Sequence, residues 1–221
     1  MNNQITASDR KQPTHHVFFQ PHSAPEKLDE LEKDKMLGIY IQLSGDVGPW
    51  LEKLSDFPKL EILSFSRCHG NDPSDQWDEL KKLKTLKSLE IHDCTPLNQT
   101  ALDSIAELEN LKRLWITSQV RENETDFSVL EKLRSLQTLE LGFEQVNGYI
   151  GLWAEELDFI KDLPALEHLL LRDNCHLCAA KLLFPPSLKV LSVPSHTPDS
   201  TIKRLQDSGI IVMGAWEKLP G

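Results

Sequence analysis

One spacing dominates this chain: a leucine, two residues, a leucine, one residue, a leucine, then two residues and a small or polar position. It occurs as Leu60, Leu63, Phe65 and Cys68, and again as Leu86, Leu89, Ile91 and Cys94. Leu111, Leu114, Ile116 and Gln119 repeat it, as do Leu136, Leu139, Leu141 and Glu144. The fullest copy is Leu166, Leu169, Leu171 and Asn174, and the last clear one is Leu188, Leu191, Val193 and His196. Three positions before each copy stands Phe57, Leu83, Leu108, Leu133, Leu163 or Pro185. Between middle leucines the intervals are 26, 25, 25, 30 and 22 residues, and a weaker copy at Met36, Ile39, Ile41 and Ser44 lies 24 residues upstream. A unit this short cannot bury its own leucines. Stacked on its neighbours it shares a common core, so the repeat dictates a solenoid.

The pattern resembles the leucine-rich-repeat family over residues 36–216. The resemblance implies an α/β solenoid with a curved parallel β-sheet on the concave side and helices on the convex side. About six clear repeats and two caps make it up. The intervening segments support this independently, because SDQWDELKKLKTL, NQTALDSIAEL, DFSVLEKLRSL and AEELDFIKDLPAL each show helical apolar spacing. Ser74, Asn98 and Asp126 are suited to cap those helices. Residues 1–35 are expected to form a polar tail and capping segment, residues 36–216 the repeat domain, and residues 217–221 a short tail. Within the first of these, HHVFFQP suits a cap strand and residues 25–35 a charged capping helix. At the far end, residues 209–215 suit a terminal strand after a short helix at Asp199–Asp207.

Composition narrows the function. The formal net charge of −10 disfavours nucleic acid and anionic membranes, which need clustered Lys and Arg. It suits a basic protein partner, although such a charge also keeps a protein soluble. The opening residues lack the pattern of a secretion signal, and no apolar run approaches a membrane span. Four cysteines in 221 residues do not suggest a disulfide framework, so a cytoplasmic setting is expected. Free, the chain is expected to be a monomer or a weak dimer.

Few residues offer chemistry. Cys175 and Cys178 form a CxxC that could ligate zinc or act in redox exchange. No second ligand pair completes a zinc site, and the repeat register favours core packing. Cys68 and Cys94 occupy the ladder position, where a small side chain bonds loop backbone from inside the arc. His92 and His168 face the concave side without an evident triad partner. No nucleotide loop, serine-hydrolase elbow or zinc-protease motif occurs, and no cofactor is expected. A metal-dependent enzyme built on His92, Asp93 and His168, or on the CxxC, is the alternative from another class.

The register itself predicts a surface. Side chains alternate along a strand, so residues between the leucines face the concave side. One column runs Tyr40, Ser64, Glu90, Trp115, Glu140, Leu170, Ser192. Its neighbours run Gln42, Ser66, His92, Thr117, Gly142, Arg172, Pro194 and Gly38, Ile62, Ser88, Arg113, Thr138, His168, Val190. A further column runs Leu43, Arg67, Asp93, Ser118, Phe143, Asp173, Ser195. Trp115 stands at the centre, and interface hot spots favour Trp, Tyr and Arg. A loop at 144–156, carrying Tyr149 and Trp153, could cover it or add a second contact. The expected contact set is Tyr40, Glu90, His92, Asp93, Arg113, Trp115, Glu140, Phe143, His168, Arg172 and Asp173. These residues point to a non-catalytic module that holds a protein on its concave face. Its finer forms are an immunity or antitoxin-like inhibitor of a basic toxin or enzyme, or a secreted effector gripping a host protein.

Overall fold

Each repeat turns its leucine spacing into one short strand. The computed structural model describes residues 15–43, 45–68, 77–94, 97–118, 125–143, 154–172 and 182–214. Nine strands are found there: β1 (His16–Phe19), β2 (Gly38–Gln42), β3 (Ile62–Ser66), β4 (Ser88–His92), β5 (Arg113–Ser118), β6 (Thr138–Phe143), β7 (His168–Leu171), β8 (Val190–Val193) and β9 (Ile211–Gly214). They form one sheet in sequence order, and every neighbouring pair is parallel.

The inward residue pairs of β2 to β8, from Ile39 and Ile41 to Leu191 and Val193, are all buried. Fully burying such a side chain is worth roughly 1.5–3 kcal/mol. The cap strand expected in HHVFFQP is present as β1, which pairs with β2 and buries Phe19. The terminal strand is β9, preceded by α-helix Asp199–Asp207.

The convex side departs from expectation. Only Gly48–Leu54 and Gln99–Ala106 are α-helical among the described crossings between repeat strands. Asp78–Lys82, Phe127–Lys132 and Ala154–Asp162 are 3-10 helices, as is Pro25–Glu30 in the cap. The apolar residues explain why. Trp77, Leu80, Leu83, Leu86 and Leu89 are all buried, as are Phe127, Leu130, Leu133, Leu136 and Leu139. The α-helical crossings share that spacing of three, as Leu102, Ile105 and Leu108, but add buried pairs at spacing four, Trp50 with Leu54 and Ala101 with Ile105, which Asp78–Lys82 and Phe127–Lys132 lack. The α-helix at Gln99–Ala106 has a firm start, because Asn98 Oδ1 accepts the Ala101 N–H at 2.9 Å. Asp126 caps its 3-10 helix in the same way, through the Ser128 N–H at 2.8 Å. Ser74 lies outside the described residues.

Parallel strands stack at about 4.8 Å, whereas even thin helices need more room. The layers therefore splay outward, which places the sheet on the concave side.

Candidate concave binding face

The alternation of the sheet delivers the expected row with no slip. Tyr40, Ser64, Glu90, Trp115, Glu140, Leu170 and Ser192 are paired strand to strand. Phe18 extends the row on β1 and Met213 extends it on β9. The rows carrying His92 and Thr117, and Arg113 and His168, are likewise in register. The fourth column is not a row of its own. Leu43 is buried, whereas Arg67 and Asp93 leave the strand with φ of 58° and 51°. Their N–H groups bond to the next repeat, Arg67 to His92 O at 2.9 Å and Asp93 to Thr117 O at 2.8 Å. Asp93 is thus a turn residue, in a left-handed conformation that Asp tolerates better than most. Phe143 ends β6 opposite Ser118, and Asp173 lies outside the described residues.

At the centre, Trp115 is half-buried. The His92 ring meets it edge-on, with centroids 4.4 Å apart and planes at 85°. The Arg113 guanidinium lies 6.0 Å from its ring centre on the same face. Its indole N–H is buried and has no hydrogen-bond partner among the described residues. An unmet buried donor costs roughly 1–3 kcal/mol. Residues 144–153, including Tyr149 and Trp153, lie outside the described residues.

His92 bridges two groups. Its Nδ1 is 3.0 Å from Thr117 Oγ1, and its Nε2 is 3.6 Å from Glu90 Oε2. The imidazole holds the Glu90 carboxyl below the usual carboxylate range, against burial, with help from Arg113 and the Ser64 hydroxyl. Glu140 behaves in the opposite way. It is 5% exposed, and burial pushes its carboxyl up although Arg172 opposes the shift. Arg172 Nε donates to Glu140 Oε1 at 2.6 Å, and Nη2 contacts the same oxygen.

These pairings alter the expected electrostatics. Glu140 is paired with Arg172, and Glu90 with His92, so the two carboxylates of the central row carry local partners. Acids gather instead on the convex side, where Asp126, Glu131, Glu155, Glu156, Asp158 and Asp162 line a cavity of about 280 Å³. His92 and His168 sit on β4 and β7, three strand spacings or about 14 Å apart. The structure therefore does not assemble His92, Asp93 and His168 into a metal centre. Among the described residues, no cluster of His, Cys, Asp and Glu is placed to hold a metal ion. Cys175 and Cys178 lie outside them. Cys68 and Cys94 are buried free thiols in adjacent turns, and the contact with Cys94 together with burial pushes the Cys68 thiol far up. Cys94 Sγ donates to His92 O at 3.3 Å, which matches the ladder role expected of it. Among the described residues, no helix is long and apolar enough to cross a membrane.

Three contributors were not singled out from the sequence. Thr117 anchors His92, Gly142 leaves space for Arg172, and the His16–Phe18 edge adds aromatic surface beside Tyr40. The last was legible, since Val17 and Phe19 alternate with His16 and Phe18 as core and face residues do elsewhere.

No protein-family model matches the chain, and no curated protein matches it in sequence. Among solved structures, internalin C2 from Listeria monocytogenes superposes with a TM-score of 0.50 at 23% identity, covering 81% of this chain and 71% of its own. A second internalin from Listeria monocytogenes gives a TM-score of 0.47 at 20% identity over 79% of this chain and 52% of its own, so this chain spans about half of that protein. The Arabidopsis receptor kinase HAESA gives 0.42 at 18% identity, over 72% of this chain and 24% of its own. At these identities the likeness is one of fold.

Proposed function

We propose that this leucine-rich-repeat solenoid is a non-catalytic module that holds a partner protein on its concave face, centred on Trp115. The carrying observation is the state of that side chain. A half-buried tryptophan stands in the middle of a register-perfect row, beside His92 and Arg113. Large aromatics and arginine at the centre of a rigid surface are what interface hot spots are made of. A sheet of short, mutually locked strands supplies that rigidity, and the fold it shares with internalin C2 is consistent with a binding scaffold.

An inhibitor of a basic toxin or enzyme is a finer form of this reading. It rests on the whole chain's net charge of −10 and on the acids gathered at the convex cavity. Cytoplasmic residence is proposed with it, on the strength of the two buried free thiols.

The test is a quantitative pull-down from a lysate of the organism that encodes the protein. Wild type is compared with Trp115→Ala and with Glu131→Ala, an exposed convex control. A partner recovered at least tenfold less by Trp115→Ala, and equally by the control, is the expected result. Equal recovery of every partner by all three proteins would reject a Trp115-centred face.

A further inference from the structure

The turns that follow β3 and β4 begin alike. Arg67 and Asp93 leave their strands with φ of 58° and 51°, and a cysteine follows each, Cys68 and Cys94. The pairing of β3 with β4 runs on past Ser66 and His92, because the Arg67 N–H donates to His92 O at 2.9 Å. Cys68 and Cys94 therefore occupy equivalent places one repeat apart. Neighbouring strands put their backbones about 4.8 Å from each other. A disulfide joins Cα atoms that stand roughly 4.4–6.8 Å apart.

The side chains meet as well. Both are free thiols that point into the core, 3% and 1% exposed. The Cys68 thiol is in hydrogen-bond contact with that of Cys94. Cys94 Sγ also donates to His92 O at 3.3 Å, the same carbonyl that accepts the Arg67 N–H. The Cys94 sulfur thus lies against the backbone that leads into Cys68.

We propose that Cys68 and Cys94 form a reversible disulfide when the protein meets a hydroperoxide such as hydrogen peroxide. The bond would tie the turn after β3 to the turn after β4, at the rim of the concave face. Burial and the neighbouring thiol keep Cys68 protonated, which leaves the first attack to Cys94. Its thiolate, having given its proton to water, attacks one peroxide oxygen and breaks the O–O bond. Cys94 becomes a sulfenic acid, and the hydroxide released takes up the proton to become water. Cys68 then attacks the Cys94 sulfur and breaks its S–O bond, and the Cys68 proton leaves with the departing hydroxide as a second water. The two sulfurs together give up two electrons, the peroxide takes them, and a thiol reductant reverses the bond. Peroxide is small enough to reach a buried thiol through local opening of a turn. The change would also touch the binding face. It removes the S–H that donates to His92 O, and the His92 ring lies against Trp115. The inference itself stands on the fold and does not need the concave face to hold a partner.

Oxidation of the full-length protein carrying Cys175→Ser and Cys178→Ser tests it, since Cys68 and Cys94 are then its only cysteines. The folded protein is treated with hydrogen peroxide, digested and mapped by mass spectrometry, beside a sample treated while unfolded in urea. The expected product from the folded protein is one peptide pair joined through Cys68 and Cys94 and separated again by dithiothreitol. The oxidised protein is expected to stay monomeric and to show a higher urea midpoint than the reduced one, because the bond restrains the unfolded chain. Sulfinic or sulfonic acid on either cysteine without a link would overturn the pairing. So would intact thiols in the folded protein under conditions that oxidise the unfolded sample, or a link formed only between two chains. A lower midpoint after oxidation would show that the bond distorts the turns, and would overturn a disulfide suited to this fold. Should the serine variant fail to fold, the same mapping on wild type decides, because it reads each cysteine separately.

Discussion

Arg172 reaches Glu140 by laying its stem across Gly142. A Cβ at position 142 would stand 2.7 Å from Arg172 Cγ and 2.8 Å from its Cβ. No rotation of the guanidinium relieves that contact, since it involves the root of the side chain. Gly142→Ala is therefore expected to destabilise the fold by about 1–3 kcal/mol. A lower urea midpoint with an unchanged slope is the expected signature. A midpoint equal to that of wild type would show that Arg172 does not need this path.

Glu140 and Glu90 should respond to pH with opposite signs. Burial raises the folded-state value of Glu140 above 4.5, so its cost grows as pH rises through that value and vanishes below it. Removing Arg172 leaves the carboxylate buried without its partner, a loss of about 3–5 kcal/mol near neutral pH. The gap between Arg172→Ala and wild type should narrow as pH falls toward 4.5 and Glu140 takes up a proton. Urea midpoints measured across that range check this, and a gap that widens on acidification would contradict it.

For Glu90 the folded-state value lies below 4.5, so its contribution is present above that pH and lost as pH falls through the folded value. Glu90→Gln should then melt below wild type near neutral pH and approach it in acid. A difference independent of pH would mean that the carboxylate charge plays no part.

Asn98 tests the convex side. Its side chain is buried, 4% exposed, and caps Gln99–Ala106 through the Ala101 N–H. Asn98→Ala should lower stability by about 1 kcal/mol, and Asn98→Ser should recover most of it because a hydroxyl is also a good cap. Chemical denaturation of the two variants measures this. Equal stability of the alanine variant would show that the cap is dispensable.

The strand rows were legible from the leucines because alternation leaves no freedom once a repeat is aligned with the next. Tyr40, Glu90, Trp115 and Glu140 fall in one row for that reason alone. The helices were half legible. Leu80 and Leu83, or Leu130 and Leu133, keep a spacing of three that the α-helical Leu102 and Ile105 share, and only the extra buried pair Ala101 and Ile105 at spacing four sets the α-helix apart. Pairings across the face were not legible. That Glu140 is closed by Arg172 depends on an empty side-chain position at Gly142, and that His92 is held depends on Thr117 one repeat away. Asp93 illustrates the same limit, since its left-handed backbone removes it from the strand.

The most direct test places a photo-crosslinking benzoylphenylalanine at Thr138, on the concave face beside Trp115, or at Glu131 on the convex helix. Both proteins are illuminated in lysate of the encoding organism, with and without Trp115→Ala. A defined adduct from Thr138 that disappears with Trp115→Ala, and none from Glu131, is the expected result. Adducts from Glu131 alone, or a Thr138 adduct unchanged by Trp115→Ala, would contradict a binding face centred on Trp115.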